Sequence, residues 1–177
     1  MDVIEAIRTR RSVRRFKADS ISEKDLREIL SAGIWAPSAG NLQSRKFIVL
    51  QGKAKGDFAK AETGGRFQFG NEPVVIVVCA DTDAIGKYAE RGRKLYVKLD
   101  CAAAIENMML AARAKGIGSC WVGSFDEEKV HAALKLQKNL VPLSIVPFGY
   151  PAPPEGGQAA PSAPARKSIE EACDFRN

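Results

Sequence analysis

The chain has one histidine, His131, among 177 residues. That scarcity removes every metal site built on several imidazoles and leaves a single candidate for an imidazole base. His131 lies in DEEKVHAALKLQ, a segment with helical periodicity and no nucleophile elbow before it. A Ser-His-Asp triad therefore has nowhere to form, and a histidine on a helix surface is expected. The four cysteines, Cys79, Cys101, Cys120 and Cys173, include no CxxC pair, so neither zinc nor dithiol redox chemistry is indicated. Three of them fall in apolar surroundings, where a thiol packs as a small hydrophobe. The set reads as reduced and structural, which suits a cytoplasmic protein. No stretch approaches the roughly 20 apolar residues of a membrane span. The opening MDVIEAIRTR carries Asp2 and Glu5 where a secretory leader would be apolar. Neither GxxxxGK[ST] nor GxGxxG after a strand occurs, which removes a P-loop and the Rossmann fingerprint.

Acid is missing from residues 8–17. Arg8, Arg10, Arg11, Arg14, Arg15 and Lys17 stand there without a carboxylate, in a chain whose overall balance is 27 basic to 21 acidic residues, +6. So mild an excess favours anionic ligands without naming one. Aromatics are missing from the run too, apart from Phe16, and the remaining charges are well mixed. A nucleic-acid face, with aromatics interleaved among cations, is not what this pattern describes. The cations follow a helical stretch, whose negative dipole end relieves part of their repulsion. RTRRSVRRF is either a solvated basic face or a set of forked donors for a phosphate, with Ser12 adding a hydroxyl.

What is present reads as one domain over residues 1–177, long enough to bury roughly 70% of its extended surface. Val3, Ile4 and Ile7 predict one helical face. A second helix is expected from Ser22, its N-cap, with Asp25 in capping-box spacing, Leu26, Ile29, Leu30 and Ile34 as its apolar stripe, and Gly33 and Pro37 ending it. KFIVLQG reads as a strand, KAKGDFAKAE as a helix, and TGGRFQFGNEP as a loop. VVIVVCAD is a β-branched run of the kind covered on both faces. Residues 88–115 predict the longest helix, with Leu95, Leu99, Ala102, Ile105, Met109 and Ala112 recurring at three and four. It is apolar almost all round, so it belongs in a core or between subunits. SCWVG and LSIVPFGYP read as strands and 126–136 as a helix. Alternation of helix and strand makes the class α/β or α+β.

Three further stretches carry polar groups at suggestive positions. WAPSAGNLQSRKF leaves a helix, passes through Gly40 and Asn41, which tolerate unusual backbone angles, and enters a strand. It is either an ordinary turn or a loop whose main chain a ligand approaches. GIGSCWVGSFD surrounds a short apolar strand with glycines, again as a plain connection or as a cradle for a flat ligand. The tail from Ala152 is rich in proline, glycine and alanine and cannot build a core. Yet it ends in RKSIEEA, where Ser168 and Glu171 have capping-box spacing, so it reads as an arm that docks at its end.

In that order and spacing, RRSVRRF, PSAGNLQSRKF, GIGSCWVGSFD, PFGYP and a basic terminal arm resemble the nitroreductase family of flavin mononucleotide (FMN) enzymes, from Ile4 to Ala172. The resemblance implies an α+β fold, a central mixed or antiparallel sheet flanked by helices. It implies a homodimer with the long apolar helix at its core and a C-terminal arm swapped onto the partner's sheet. By position, Arg10 would hold the flavin phosphate with Arg11 beside it, and Ser12 and Arg14 would reach the pyrimidine edge. Pro37, Ser38, Ala39 and Asn41 would come from the partner subunit. Trp121, Val122 and Gly123 would pass the ring's centre, Arg166 and Lys167 would return to the phosphate, and Asn71 would add a polar contact. NADH or NADPH would reduce the flavin and leave, and a nitroaromatic, quinone or similar small acceptor would follow in a ping-pong cycle. No catalytic side chain, metal, nucleic acid or membrane is implied. The competing readings are a flavin carrier or sensor without turnover, and a polyanion-binding module.

Overall fold

A computed structural model describes residues 1–61, 70–153 and 164–176. The loop expected at TGGRFQFGNEP lies mostly outside these residues, as does the proline-rich half of the arm. In chain order the helices are α1 (Val3–Thr9), α2 (Glu23–Ile34), α3 (Gly52–Lys60), α4 (Ala89–Arg91), α5 (Val97–Ala114), α6 (Glu127–Ala133) and α7 (Ile169–Ala172). The strands are β1 (Arg45–Gln51), β2 (Val74–Asp81), β3 (Gly118–Ser119) and β4 (Leu140–Gly149). They form one antiparallel sheet in the order β1-β2-β4-β3, so the fold is the expected α+β class. No helix among the described residues is long and apolar enough to cross a membrane.

β2 is the axis of the molecule. Val74 to Ala80 are all buried, as the unbroken apolar run requires of a central strand. Alternation divides the run between two layers. Val74, Ile76, Val78 and Ala80 pack with Ile29 of α2 and Ile105, Met108 and Met109 of α5. Val75, Val77 and Cys79 pack on the other face with Phe58 of α3 and Val130 of α6. The β2–β4 register slips between Val78, opposite Ser144, and Cys79, opposite Pro142. Pro142 has no N–H to give, and Leu143 is left as the extra residue of a bulge. Burial pushes the Cys79 and Cys101 thiols up to about 12, so both stay protonated, as expected of structural cysteines.

α2 lies along α5, its start at the end of its neighbour. Lys115 pairs with Asp25 at 2.8 Å and with Glu28, and hydrogen bonding from that ammonium holds the Asp25 carboxyl below its ordinary range. Ser22 caps α2, but the capping box is incomplete. Its Oγ accepts from the Asp25 N–H and donates to the Asp25 carboxylate, rather than leaving that carboxylate to reach back to the cap. Gly33 does not end the helix, which runs to Ile34. It is there for packing: a Cβ would stand 2.8 Å from Met108 Cγ. Gly33→Ala is therefore expected to lower stability by about 1–3 kcal/mol through overpacking, read as a lower urea midpoint at unchanged slope.

Other expectations need correction. Residues 88–115 are not one helix. A 3₁₀ turn (Gly86–Tyr88), α4 and a π-helical turn (Gly92–Tyr96) precede α5. The chain crowds there: a Cβ on Gly92 would stand 2.7 Å from Tyr88 Cβ, and Ala89 takes φ +49°. α5 buries Val97, Asp100, Cys101, Ala104, Ile105, Met108, Met109 and Ala112, while Leu95 and Leu99 face outward, Leu99 57% exposed. In α1 the buried residue is Ala6, and Val3, Ile4 and Ile7 are exposed. SCWVG contributes little regular strand: β3 ends at Ser119, and Val122 makes only an isolated bridge to Ile145.

Candidate functional site

The arginine run is held by backbone on both sides. At the end of α1 the Arg11 guanidinium donates to the carbonyls of Arg8 (2.8 Å) and Arg10 (2.7 Å), closing orphan acceptors of the last turn. The chain then extends along the sheet edge. Val13 N–H donates to Ser119 O at 2.9 Å, and Lys17 N–H to Tyr150 O at 2.9 Å. Ser12 pairs with Ser119, and Phe16 with Pro151. Gly118 permits the approach, since a Cβ there would meet Val13 Cγ2 at 2.7 Å. Alternation sends Val13 toward Gly118 and leaves Ser12 and Arg14 facing the other way, while Arg10, at the end of α1, lines the same cleft as Val13 and Gly118. Cys120 follows Ser119, the residue that pairs with Ser12, and so lies beside this segment. Burial raises its thiol pKa, and the Arg14 charge, a hydrogen bond with Ser12 and the Arg10 charge each pull it back. Arg10 has Glu106 at 3.9 Å, and Arg113 Nε donates to Thr9 Oγ1 at 3.0 Å.

Beyond Cys120 the chain is pinned at alternate residues. Val122 exchanges two hydrogen bonds of 3.0 Å with Ile145. Among the described residues, the N–H groups of Trp121 and Gly123 have no partner and project from the sheet edge. The Trp121 indole is fixed by donation to Ser144 Oγ at 2.8 Å, and the residue stays 41% exposed.

The loop after α2 is braced just as closely, but elsewhere. The Arg45 guanidinium donates to Ile34 O (2.9 Å) and Ala36 O (2.8 Å), closing the helix end. Ser38 Oγ accepts from Gln43 N–H at 3.0 Å. Asp100 accepts from the Ala39 N–H and from the Ser44 hydroxyl, both at 2.9 Å. Gly40, Asn41 and Gln43 all have φ between +50° and +56°. Pro37 and Asn41 are exposed, Ser38 and Ala39 half-buried.

One chain does not bring these parts together. The 37–44 loop is tied to the first turn of α5 at Asp100, and the arginine segment to its last turn at Arg113. The arginine segment also meets α5 at Glu106, through Arg10, so its ties lie six and thirteen residues beyond Asp100, about 9 and 20 Å along the helix. Asn71 is exposed ahead of β2. Arg166 and Lys167 are exposed, beside a one-turn α7 that closes the full capping box expected at Ser168 and Glu171. Among the described residues, the hydrogen bonds of residues 164–176 stay within that segment.

The nitroreductase family model matches this chain over residues 7–65 and 54–150. The chain belongs to the nitroreductase family. An Archaeoglobus fulgidus protein with the provisional name NADH dehydrogenase/NAD(P)H nitroreductase is 39% identical over 155 residues, 85% of this chain and 86% of its own. A Clostridium novyi nitroreductase family structure superposes with TM-score 0.75 at 31% identity, covering 86% of each chain. A Desulfovibrio desulfuricans structure, provisionally named a nitroreductase and solved in complex with FMN, gives TM-score 0.79 at 28% identity, over 100% of this chain and 98% of its own. The chain is accordingly an oxidoreductase of the nitroreductase type.

Against that nitroreductase background, three side chains escaped the reading of the sequence. Asp100, Arg45 and Arg113 all serve the loop and strand that carry the expected site. Only Asp100 had a visible signal. A lone carboxylate in the apolar run YVKLDCAAAI must find donors if the helix is buried.

Proposed function

We propose that two copies of this chain bind FMN between them in the cytoplasm, and that NADH or NADPH reduces it for delivery to a small electron-poor acceptor such as a nitroaromatic or quinone. One observation carries the reading: the segment that holds Arg10, Ser12 and Arg14 is bonded through Ser12 and Val13 to Ser119, the start of a strip in which the Trp121 and Gly123 N–H groups have no partner among the described residues. Forked cations fit a dianionic phosphate and an electron-rich ring edge, and outward main-chain donors fit ring heteroatoms. The residues present therefore suit FMN.

The chain's own part is binding and electrostatics. Arg10 would hold the phosphate. Arg166 and Lys167 would add to it once the arm lies on a neighbour. Arg11 would contribute long-range charge, because its guanidinium is committed to the end of α1. Ser12 and Arg14 would hold the pyrimidine edge, where a fixed cation offsets accumulating negative charge. Pro37, Ser38, Ala39 and Asn41 would line the site from the partner, Trp121, Val122 and Gly123 would run past the ring, and Asn71 would lie at its margin. FMN, when bound, supplies the hydride acceptance and donation that the side chains lack. His131 is no candidate for proton transfer, sitting on α6 against Gln137 O at 3.2 Å.

The separation along α5 supports the two-copy arrangement. Two α5 helices running antiparallel across a two-fold axis would set the Asp100 end of one beside the Arg113 end of the other. The outward apolar residues, Leu95 and Leu99 with Val3, Ile4, Ile7, Ile34 and Trp35, supply the surface such a contact would bury.

The test is direct. The purified protein should be yellow and release one FMN per chain on denaturation. Anaerobic mixing with NADH and with NADPH should bleach the flavin absorbance, and an acceptor should restore it. A colourless protein that takes up no added FMN defeats the reading. Flavin that neither nucleotide bleaches leaves a carrier.

A further inference from the structure

Asp100 is a carboxylate 6% exposed, in the first turn of α5. Taking a charge out of water is costly, and the carboxylate holds its place through strong partners. Its two oxygens take the Ala39 N–H and the hydroxyl of Ser44, itself fully buried. The helix dipole adds support. What these bonds secure is a surface loop. Asn41 and Gln43 hold left-handed backbone angles that are strained for residues with a side chain. Such angles persist only where the surroundings over-determine them. A buried charge that props a strained, exposed loop serves something that meets the loop from outside.

We propose that Asp100 is a positioning residue for the flavin site, and that it acts on the partner subunit's flavin rather than on the one nearest its own arginines. The inference rests on the reading of the site given above. Asp100 fixes the 38–44 loop at the start of α5, whereas the arginine segment of its own chain is tied further along that helix, at Glu106 and Arg113, about 9 and 20 Å away. Loosening the loop therefore damages the site across the dimer axis and spares the other. Neither family membership nor the expected contact residues assigns this role.

The test uses mixed dimers. Asp100→Asn keeps the shape but removes the charge, and Asp100→Ala removes both acceptors. Ser44→Ala serves as an independent variant should Asp100→Ala fail to fold. Homodimers of Asp100→Ala or Ser44→Ala should bind FMN about tenfold or more weaker, as expected for the loss of charge-assisted hydrogen bonds, with Asp100→Asn in between. An Arg14→Ala homodimer should be weakened as well. Differently tagged Asp100→Ala (or Asp100→Asn) and Arg14→Ala chains are then combined and the mixed dimer isolated. One of its sites carries both changes and the other neither, so it should bind one FMN per two chains at wild-type affinity. A destabilised fold cannot produce that rescue. A mixed dimer with two weak sites overturns the proposal, as do variants whose FMN affinity does not change. A wild-type protein that binds no FMN would instead remove the underlying reading of the site, and the two failures are told apart by that first titration.

Discussion

Arg14→Ala is expected to release most of the flavin during purification, with the dissociation constant for FMN raised between about tenfold and a hundredfold. That range is the value of one hydrogen bond from a charged donor, roughly 1.5–3 kcal/mol. Arg14 is suited to the loss because it lies on an exposed strip whose course is set by other residues. Val13 is bonded to Ser119 and seated against Gly118, and neither contact involves the Arg14 side chain. The variant should therefore fold normally and fail at binding. Arg15→Ala on the same strip should have the smaller effect, since its side chain falls on the opposite side of the extended chain. Fluorescence titration with FMN measures both. Equal losses at the two positions would cancel the assignment of Arg14. Arg10→Ala adds a second axis: it should weaken FMN strongly and riboflavin hardly, because only FMN carries the phosphate.

Leu99→Asp should produce a folded monomer without flavin. Leu99 is 57% exposed in the single chain, so a carboxylate there costs the isolated fold little and circular dichroism should not change. Across a two-fold contact the substitution appears twice, and each unpaired carboxylate costs several kcal/mol to desolvate. Dimerisation should weaken by about a thousandfold or more. Sedimentation velocity should give the monomer mass at micromolar concentration, with FMN lost alongside. A variant that stays dimeric would move the contact off this face of α5. One that becomes monomeric and keeps its flavin would place the whole site within one chain.

Much of the scaffold was legible because burial imposes a period. β1, α2, β2 and β4 follow from apolar patterning, and the one-turn α7 from its capping box. α5 was legible as an element but not in its orientation. A helix apolar on nearly every side has no pattern to say which residues face a sheet, so Leu99 read like Ile105. The outward stripe of α1 has the same origin: Val3, Ile4 and Ile7 keep a helical period but stay exposed, and only Ala6 of that helix is buried. Within the site, the arginine run and the glycine-rich strip stood out by composition. Their bracing did not, because Asp100 finds Ala39 across 61 residues and Trp121 finds Ser144 across 23, and no local spacing encodes either meeting.

The position of β2 also shapes how the protein fails. VVIVVCA has high β-propensity, no charge and no proline, the makeup of a segment that stacks with copies of itself. Here it is walled in by β1 and β4, while β1, at the sheet margin, carries Arg45 and Lys46 and the other margin strand, β3, is two residues long. In the folded molecule the segment is thus covered on both edges. Heating removes the wall and frees the segment in every chain at once, so coagulation competes with refolding. Shelf life is then expected to follow how slowly the sheet opens rather than its equilibrium free energy, which a scan-rate-dependent Tm would show.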